Sequence, residues 1–239
     1  MVNCAAYTFV DQAEQEKELA DQINHLAVRE LAEIVKEQKA KLIHISTDYV
    51  FNGESKTLYT ENDEADPINA YGLTKLNGER AVQEVMANNA VIIRVSWLYS
   101  EFGKNFVKTI LKAAREGREL RIVSDQIGSP TYASDLAEVV LKLIDQFYYT
   151  KWNKTEIYHY SNEGDISWYV FAKEICKVSG LHCRISPVTT DQYPTSAKRP
   201  RHTTMDCRKI VEIMHLPVRN YKDSLQKFLI SYEESSINI

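Results

Sequence analysis

The chain has 239 residues, a formal net charge of −4, 44% hydrophobic residues and 26% charged residues. This is the composition of an ordinary globular chain with enough apolar side chains for a core, and it gives no basic excess that would favour nucleic acid as a partner. The sequence contains no apolar run near 18 residues and no secretory signal at its start, so we expect a cytoplasmic protein that does not span a membrane.

Cysteine spacing gives a further expectation about the compartment and about metals. Cys4, Cys176, Cys183 and Cys207 show no CxxC pairing, and the six histidines do not cluster with them. In a cytoplasmic chain this pattern predicts four reduced thiols and no metal site.

Helical and strand-like segments alternate along the chain. Apolar residues at three- and four-residue steps predict helices at 11–38, Ala70–Met86, Phe106–Arg115, 134–147, 168–179 and 221–232. Short apolar runs predict strands at 42–46, 91–95, 120–123 and 157–160. Apolar strands that alternate with helices favour parallel crossover connections, so we predict an α/β fold with a doubly wound parallel sheet.

The predicted elements become shorter beyond about residue 150. We therefore divide the chain into residues 1–147, the remainder of a dinucleotide-binding domain, and residues 148–239, mainly a smaller C-terminal substrate lobe. We expect the two parts to interleave.

The start of the chain differs from that of a complete dinucleotide-binding fold. Such a fold opens with a strand, a glycine-rich turn and a helix N-terminus that receives the pyrophosphate. Residues 1–6 instead resemble the end of a strand that enters a loop, the sequence has no GxGxxG, and only 8 of 239 residues are glycine. We expect the first βαβ units, roughly sixty residues at ~30 per unit, to be missing. The chain alone should then bind a dinucleotide weakly and be inactive.

Tyr71 and Lys75 lie one helical turn apart on the same face of a predicted helix. A tyrosine needs ~4 kcal/mol in favour of its phenolate to lower its pKa from about 10 to about 7, and a nearby ammonium group acts in that direction. The same spacing also occurs by chance in many proteins, where it places an exposed tyrosine beside a solvated lysine. The preceding strand ends in Ser46 and Thr47, at the edge of the sheet where ligands bind in open α/β folds. A hydroxyl at this edge together with Tyr71 and Lys75 predicts proton transfer during carbonyl reduction.

Sequence blocks along the whole chain resemble dTDP-4-dehydrorhamnose reductases of the short-chain dehydrogenase/reductase superfamily. The blocks are NCAAYT at 3–8, HISTDYVF at 44–51, the YGxxK motif at 71–75, RVSWLY at 94–99, DQIGSPT at 125–131 and KRP at 198–200. The resemblance implies a Rossmann-like fold that lacks its first βαβ units. It also implies reduction of the C4 ketone of dTDP-4-dehydro-L-rhamnose by a hydride from NADPH or NADH.

The resemblance also implies roles for individual residues. Tyr71 would be the proton donor to the nascent alkoxide, Lys75 would lower its pKa and hold the nicotinamide ribose, and Thr47 would complete the catalytic triad. The residues expected to contact the cofactor are Cys4, Ala5, Ala6, Tyr7, Ser46, Tyr71 and Lys75.

Four residues are predicted on the sugar-nucleotide side. Tyr49 and Trp97 offer aromatic faces for a deoxysugar or base, and the amide of Asn105 suits hydroxyl or phosphate oxygens. Arg199 lies in the basic stretch 198–201 and could pair with the substrate diphosphate. Packing in the core explains Trp97 equally well. The basic side chains of a loop such as 198–201 usually contact only solvent.

Two other functions are compatible with the same motifs. The regulatory subunit of methionine adenosyltransferase is similar in fold and sequence but works as a binding partner. A sugar-nucleotide epimerase or dehydratase is the other alternative, although a dehydratase would need acidic residues beside the threonine, and only Asp48 is present. The sequence does not indicate whether NADP or NAD is preferred, and it leaves a homodimer open.

Overall fold

The computed structural model describes residues 1–149, 153–215 and 217–237. The strands in chain order are β1 (Val2–Asn3), β2 (Leu42–Thr47), β3 (Ala90–Val95), β4 (Leu98–Tyr99), β5 (Glu119–Val123), β6 (Ile127–Gly128), β7 (Thr131–Tyr132), β8 (Glu156–Tyr160), β9 (Ile166–Ser167) and β10 (Arg184–Val188).

The helices range from single turns to seventeen residues. They are α1 (Val10–Ala13), α2 (Lys17–Asp21), α3 (Ala27–Glu37), α4 (Ala70–Met86), α5 (Phe106–Arg115), α6 (Ala133–Tyr149), α7 (Trp168–Val178), α8 (Arg208–Met214) and α9 (Tyr221–Ile237). A π-helical turn spans Gln22–Leu26, and 3-10 turns span Asp48–Val50 and Thr190–Gln192. None of the helices in the described ranges combines the length and the apolar character that a membrane crossing requires.

The central sheet is parallel and has the strand order β1-β2-β3-β8. One face packs on α3 and α4 through a cluster that includes Val35, Leu42 and Ile92, and the other face packs on α6 and α8 through Ile43 and Ile93. Strands that are covered on both faces are rich in apolar residues, as β2 and β3 are at Leu42–Ile43 and Val91–Ile93. The structure confirms the predicted α/β class with a parallel sheet.

A smaller lobe lies beside the sheet. Its strands β5 and β10 pair in parallel, and its core joins α5, α7 and α9 through buried aromatic residues such as Tyr99, Phe171 and Phe228. Strand β8 belongs to the central sheet although it follows residue 148, whereas β5 precedes that residue and lies in the lobe. The two parts therefore alternate along the chain, and the division at 147/148 stays a prediction.

The expected continuous helix at 11–38 is wrong in detail. The structure divides this segment into α1, α2, the π-helical turn and α3. Leu19, Leu26 and Ile34 are 44%, 47% and 57% exposed. The inward positions instead hold Ala20, Asn24, Val28, Ala32 and Val35.

The expectation of four reduced thiols is also wrong. Cys176 in α7 and Cys183 before β10 form a disulfide, with their Cα atoms 6.1 Å apart. Helix α7 ends and the chain turns back between them, which brings the two cysteines within bridging distance. Cys4 and Cys207 are free thiols.

Helix α4 makes a close contact with the π-helical turn at Gly78. A side-chain carbon at this position would overlap the carbonyl oxygen of Asn24. Glycine therefore allows the helix to approach the turn more closely than any other residue would.

We expect Gly78→Ala to lower the free energy of unfolding by about 2 kcal/mol, because overpacking against backbone outweighs the ~1 kcal/mol by which alanine is preferred in a helix. Urea denaturation monitored by circular dichroism would measure the change. Gln83→Ala is the matched control, because Gln83 lies on the exposed face of the same helix. Equal stability of the two variants would show that Gly78 does not lie in close contact with the Asn24 carbonyl oxygen.

Candidate active site

The first turn of α4 lies against the carboxyl end of β2. Asn69 caps the helix, because its side-chain Oδ1 accepts a hydrogen bond of 2.8 Å from the Gly72 amide. A side chain on Gly72 would overlap the carbonyl oxygen of Tyr49, so glycine is needed for this approach. As a result the rings of Tyr49 and Tyr71 meet edge to face, with their centroids 5.8 Å apart.

Thr47 and Tyr71 come together at this point, as the sequence predicts. The Thr47 hydroxyl is a hydrogen-bond partner of the Tyr71 phenol. Burial raises the pKa of Tyr71 to about 12, while the Thr47 hydrogen bond lowers it and the charge of Asp48 raises it further. The pKa of Tyr71 therefore lies above its ordinary value in this structure, and the expected lowering by Lys75 stays a prediction.

Lys75 lies beneath the end of β2 and is 1% exposed. Its ammonium group donates a hydrogen bond of 2.7 Å to the carbonyl oxygen of Ile45 and lies 3.5 Å from His44 Nε2. Burial lowers the pKa of Lys75 to about 8, and the charges of Glu79 and Cys4 act in the opposite direction. Burial and the charge of Lys75 together hold the pKa of His44 well below its usual range, so the imidazole is neutral.

The predicted cofactor loop, residues 4–7, passes over Lys75. Cys4 and Ala5 are exposed, Ala6 is half-buried and Tyr7 is buried. Burial raises the pKa of the Cys4 thiol and the charge of Lys75 lowers it, which places the two groups near each other. Small exposed side chains beside a buried ammonium and a phenol suit the nicotinamide and ribose of a dinucleotide, so these residues fit the expected cofactor.

Asn24 holds this loop in place, a role that the sequence did not reveal. Its Oδ1 accepts a hydrogen bond of 2.8 Å from the Tyr7 amide, and its Nδ2 donates to the Tyr7 carbonyl at 3.0 Å and to Thr74 Oγ1 at 3.1 Å. An asparagine that is buried within a helical segment requires hydrogen-bond partners inside the protein, and this requirement is the feature that points to the role of Asn24.

Ser46 contacts a buried carboxylate in this structure, and its predicted cofactor contact stays a prediction. Its hydroxyl donates a hydrogen bond of 2.5 Å to Glu79 Oε1, and Glu79 forms an ion pair of 2.7 Å with Arg94. Ser46 is directly opposite Arg94 in the β2–β3 register, and Glu79 lies one helical turn after Lys75. The side chains of Ser46, Glu79 and Arg94 are almost fully buried, so Ser46 is part of a charged hydrogen-bond network inside the fold.

Tyr49 and Arg199, which the sequence predicts on the substrate side, also come together. The Arg199 guanidinium binds Asp11 through two hydrogen bonds, Nη2 to Oδ2 at 2.6 Å and Nη1 to Oδ1 at 3.0 Å. The Tyr49 hydroxyl is a further partner of Arg199. Arg199 lines a cavity of about 360 Å³, together with Asp11, Phe106, Arg121, Trp168 and Tyr193.

Trp97 supports the wall of this cavity from behind. Its indole stacks on Trp168, with centroids 3.5 Å apart and an interplanar angle of 11°. Its backbone has a φ of 44°, a strained conformation for a residue with a side chain. Trp97 therefore has the packing role that the sequence allowed, and its contact with a substrate stays a prediction.

Asn105 has a structural role at the start of α5, and its predicted substrate contact stays a prediction. Its Oδ1 accepts a hydrogen bond of 3.1 Å from the Lys108 amide, and its Nδ2 donates to the Ser100 carbonyl at 2.6 Å. The side chain caps α5, and both of its polar atoms are used there.

The buried network generates a prediction about stability. Glu79→Gln should lower the free energy of unfolding by about 3 kcal/mol, because it leaves the Arg94 charge buried without a counter-charge. Glu84→Gln is the matched control from the same helix, since Glu84 pairs with Arg29 at 2.6 Å but its side chain is 68% exposed. Denaturant unfolding of both variants would measure the difference. Equal losses of unfolding free energy would show that burial of the Glu79–Arg94 ion pair does not increase its contribution to stability.

Comparison with known proteins places the whole chain in one family. Residues 1–234 match the family model described as RmlD substrate binding domain. The chain is 43% identical over 229 residues to the spore coat polysaccharide biosynthesis protein SpsK of Bacillus subtilis (strain 168), covering 96% of this chain and 78% of that protein. It is 37% identical over 235 residues to the dTDP-4-dehydrorhamnose reductase of Escherichia coli (strain K12), with coverage of 96% and 78%.

Solved structures give the same result. The dTDP-4-dehydrorhamnose reductase from Bacillus anthracis str. Ames in complex with NADP has a TM-score of 0.90 and 39% identity, and the match covers 96% of this chain and 79% of that one. MoeE5 in complex with UDP-glucuronic acid and NAD, at 18% identity and a TM-score of 0.82, shares the fold. The predicted resemblance is confirmed, and the chain belongs to the RmlD substrate-binding domain family.

Proposed function

We propose that this chain reduces the C4 ketone of dTDP-4-dehydro-L-rhamnose with NADPH or NADH, as a step in nucleotide-sugar synthesis for cell-surface polysaccharide. The observation that carries the proposal is the contact between the Thr47 and Tyr71 hydroxyls at the carboxyl end of β2, with the buried Lys75 ammonium one helical turn away. The names of relatives in Escherichia coli (strain K12) and Bacillus anthracis str. Ames support the same activity.

The residues of the site suit proton transfer to a reduced ketone. Bound NADPH or NADH supplies the hydride that reduces the ketone carbon. Tyr71, with a pKa of about 12, stays protonated at neutral pH and can donate its proton to the much more basic alkoxide oxygen. Thr47 can donate a hydrogen bond to the developing phenolate, and Lys75 can bind the ribose hydroxyls as an ammonium group.

The nucleotide end of the substrate fits the cavity beside Arg199. Arg121 provides positive charge in this cavity and Arg199 provides N–H donors for a diphosphate, while Trp168 and Phe106 provide aromatic faces for a base. Tyr49 joins this cavity to the catalytic hydroxyls, because it contacts both Arg199 and the ring of Tyr71.

The alternative functions have weaker support. Relatives at 36–37% identity are named as reductases, which favours an enzyme over a non-catalytic subunit of methionine adenosyltransferase. A relative in Streptomyces niveus, 33% identical, is named dTDP-4-keto-6-deoxy-D-glucose reductase, so the shared feature is a dTDP-linked 4-keto-6-deoxy sugar. A cytoplasmic location and a homodimer stay predictions.

Tyr71→Phe should abolish ketone reduction, lowering kcat by at least about 100-fold, because it removes the proton donor and little binding surface. We would measure NADPH oxidation with dTDP-4-dehydro-L-rhamnose, in the 239-residue chain and in a chimera that adds the part of the B. anthracis reductase which this chain does not cover. Tyr169→Phe in α7 is the control. Turnover of the Tyr71 variant within tenfold of its parent, or no turnover by the parent chimera, would refute the proposal.

Arg199→Gln should weaken the binding of dTDP about tenfold or more, because charge-assisted hydrogen bonds to phosphate oxygens are lost. The fluorescence of Trp168, which lines the cavity, provides the titration signal. Arg201→Gln is the control, because Arg201 is two residues away, 58% exposed, and lies 3.8 Å from Asp191. An equal loss of affinity in both variants would show that only the overall charge of the loop matters.

A further inference from the structure

We propose that Asp48 is a positioning residue that returns a proton to Tyr71 through the hydroxyl of Thr47. The three side chains form a continuous chain at the end of β2. Thr47 is the hydrogen-bond partner of the Tyr71 phenol, and its Oγ1 lies 3.1 Å from Asp48 Oδ1. The inference rests on the proposed function, because it supplies the proton that ketone reduction consumes.

The environment of Asp48 is unusual for a carboxyl group. Asp48 is 2% exposed, and its Oδ2 is buried without a hydrogen-bond partner. Burial raises the pKa of Asp48 to about 7, although the hydroxyls of Thr203 and Thr47 act in the opposite direction. A carboxyl group with this pKa is protonated in a large fraction of molecules at neutral pH, so it can both hold and release a proton.

The groups around Asp48 define what its charge affects. Burial, and to a smaller extent the Asp48 charge, raise the pKa of both Tyr71 from α4 and the adjacent Tyr49, and Arg199 lowers the pKa of Tyr49. Lys75 donates to the Ile45 carbonyl. The titratable group that shares a hydrogen-bond chain with the phenol through Thr47 is therefore Asp48.

The direction of the Thr47 hydroxyl follows the protonation state of Asp48. When Asp48 is ionised, the hydroxyl donates to the carboxylate, and the negative charge makes Tyr71 a weaker acid. When Asp48 is protonated, it donates to Thr47 Oγ1, and the Thr47 hydrogen is free to point at the Tyr71 oxygen. Protonated Asp48 thus makes Tyr71 a better proton donor.

The proton balance of one turnover is complete. The Tyr71 O–H bond breaks as the new O–H bond forms on the alkoxide, which leaves a phenolate. The Thr47 hydrogen then moves to the Tyr71 oxygen while the Asp48 hydrogen moves to Thr47 Oγ1. This transfer is favourable because the pKa of Tyr71, about 12, is far above that of Asp48, about 7. Asp48 is left as a carboxylate and takes a proton from water before the next turnover.

The first test measures protonation in the 239-residue chain and needs no catalysis. Carbon-13 NMR of labelled aspartate Cγ and tyrosine Cζ should show Asp48 titrating near pH 7, with an inflection of the Tyr71 signal at the same pH. Thr47→Val should remove most of this inflection while Asp48 still titrates, and Thr47→Ser should restore it. Asp48→Asn should remove it completely.

Two results would overturn the inference. Asp48 titrating at the ordinary aspartate pKa of about 3.9 would show that it holds no proton at neutral pH. An inflection of Tyr71 that is undiminished in Thr47→Val would show that the two groups interact only through space.

The second test is the pH dependence of turnover in the chimera. The parent kcat should fall as pH rises through about 7, since the ionised Asp48 cannot deliver a proton. Asp48→Asn should have a kcat at least about tenfold lower, without this pH-dependent fall and with an unchanged KM for the sugar nucleotide. A variant that keeps the parent profile would refute the role of Asp48. If the NMR titrations of Asp48 and Tyr71 are coupled but the parent chimera has no reductase activity, the proposed function is wrong. The hydrogen-bond connection from Asp48 through Thr47 to Tyr71 would still be supported.

Discussion

The close approach of helix α4 to two backbone carbonyls is the constraint on which the site depends. Gly72 and Gly78 lie against carbonyl oxygens of neighbouring segments, and a side chain at either position would overlap them. These contacts limit how far helix α4 can slide, because a residue with a side chain could not take the place of either glycine against the carbonyl oxygen. Tyr71 and Lys75 lie on this helix beside those contacts, so their positions relative to Thr47 are set by backbone packing. Proton transfer needs this precision, since hydrogen-bond geometry tolerates only tenths of an ångström.

Burial, more than ion pairing, sets the electrostatics of the site. Lys75 and Asp48 are both almost fully buried, and burial shifts the pKa of the lysine down to about 8 and that of the aspartate up to about 7. Each shift favours the neutral form and brings the group close to neutral pH, where it can exchange protons. The nearby Glu79 and Arg94 neutralise each other, so the region around β2 holds several buried ionisable groups without a large net charge.

Local patterns predicted the elements of the site, whereas long-range pairing decided several side-chain roles. Helix α4 has the predicted bounds, because its periodicity and its capping asparagine are encoded within one stretch of sequence. The partner of Ser46 is Glu79, and this contact depends on how α4 packs on the sheet, which no local pattern reveals. The Cys176–Cys183 bridge depends on where α7 ends. Asn105 could have been recognised, since an asparagine directly before a predicted helix is a typical N-cap.

The ion pair between Asp11 and Arg199 also has a consequence for the order of folding. These residues are 188 positions apart in the chain, and Asp11 further accepts a hydrogen bond from the Ala197 amide. A contact between such distant segments closes a large loop, and its entropic cost is recovered only after the sheet and the smaller lobe have formed. We therefore expect the cavity beside Arg199 to be the last part of the molecule to become ordered, after the Thr47 and Tyr71 hydroxyls are already in place.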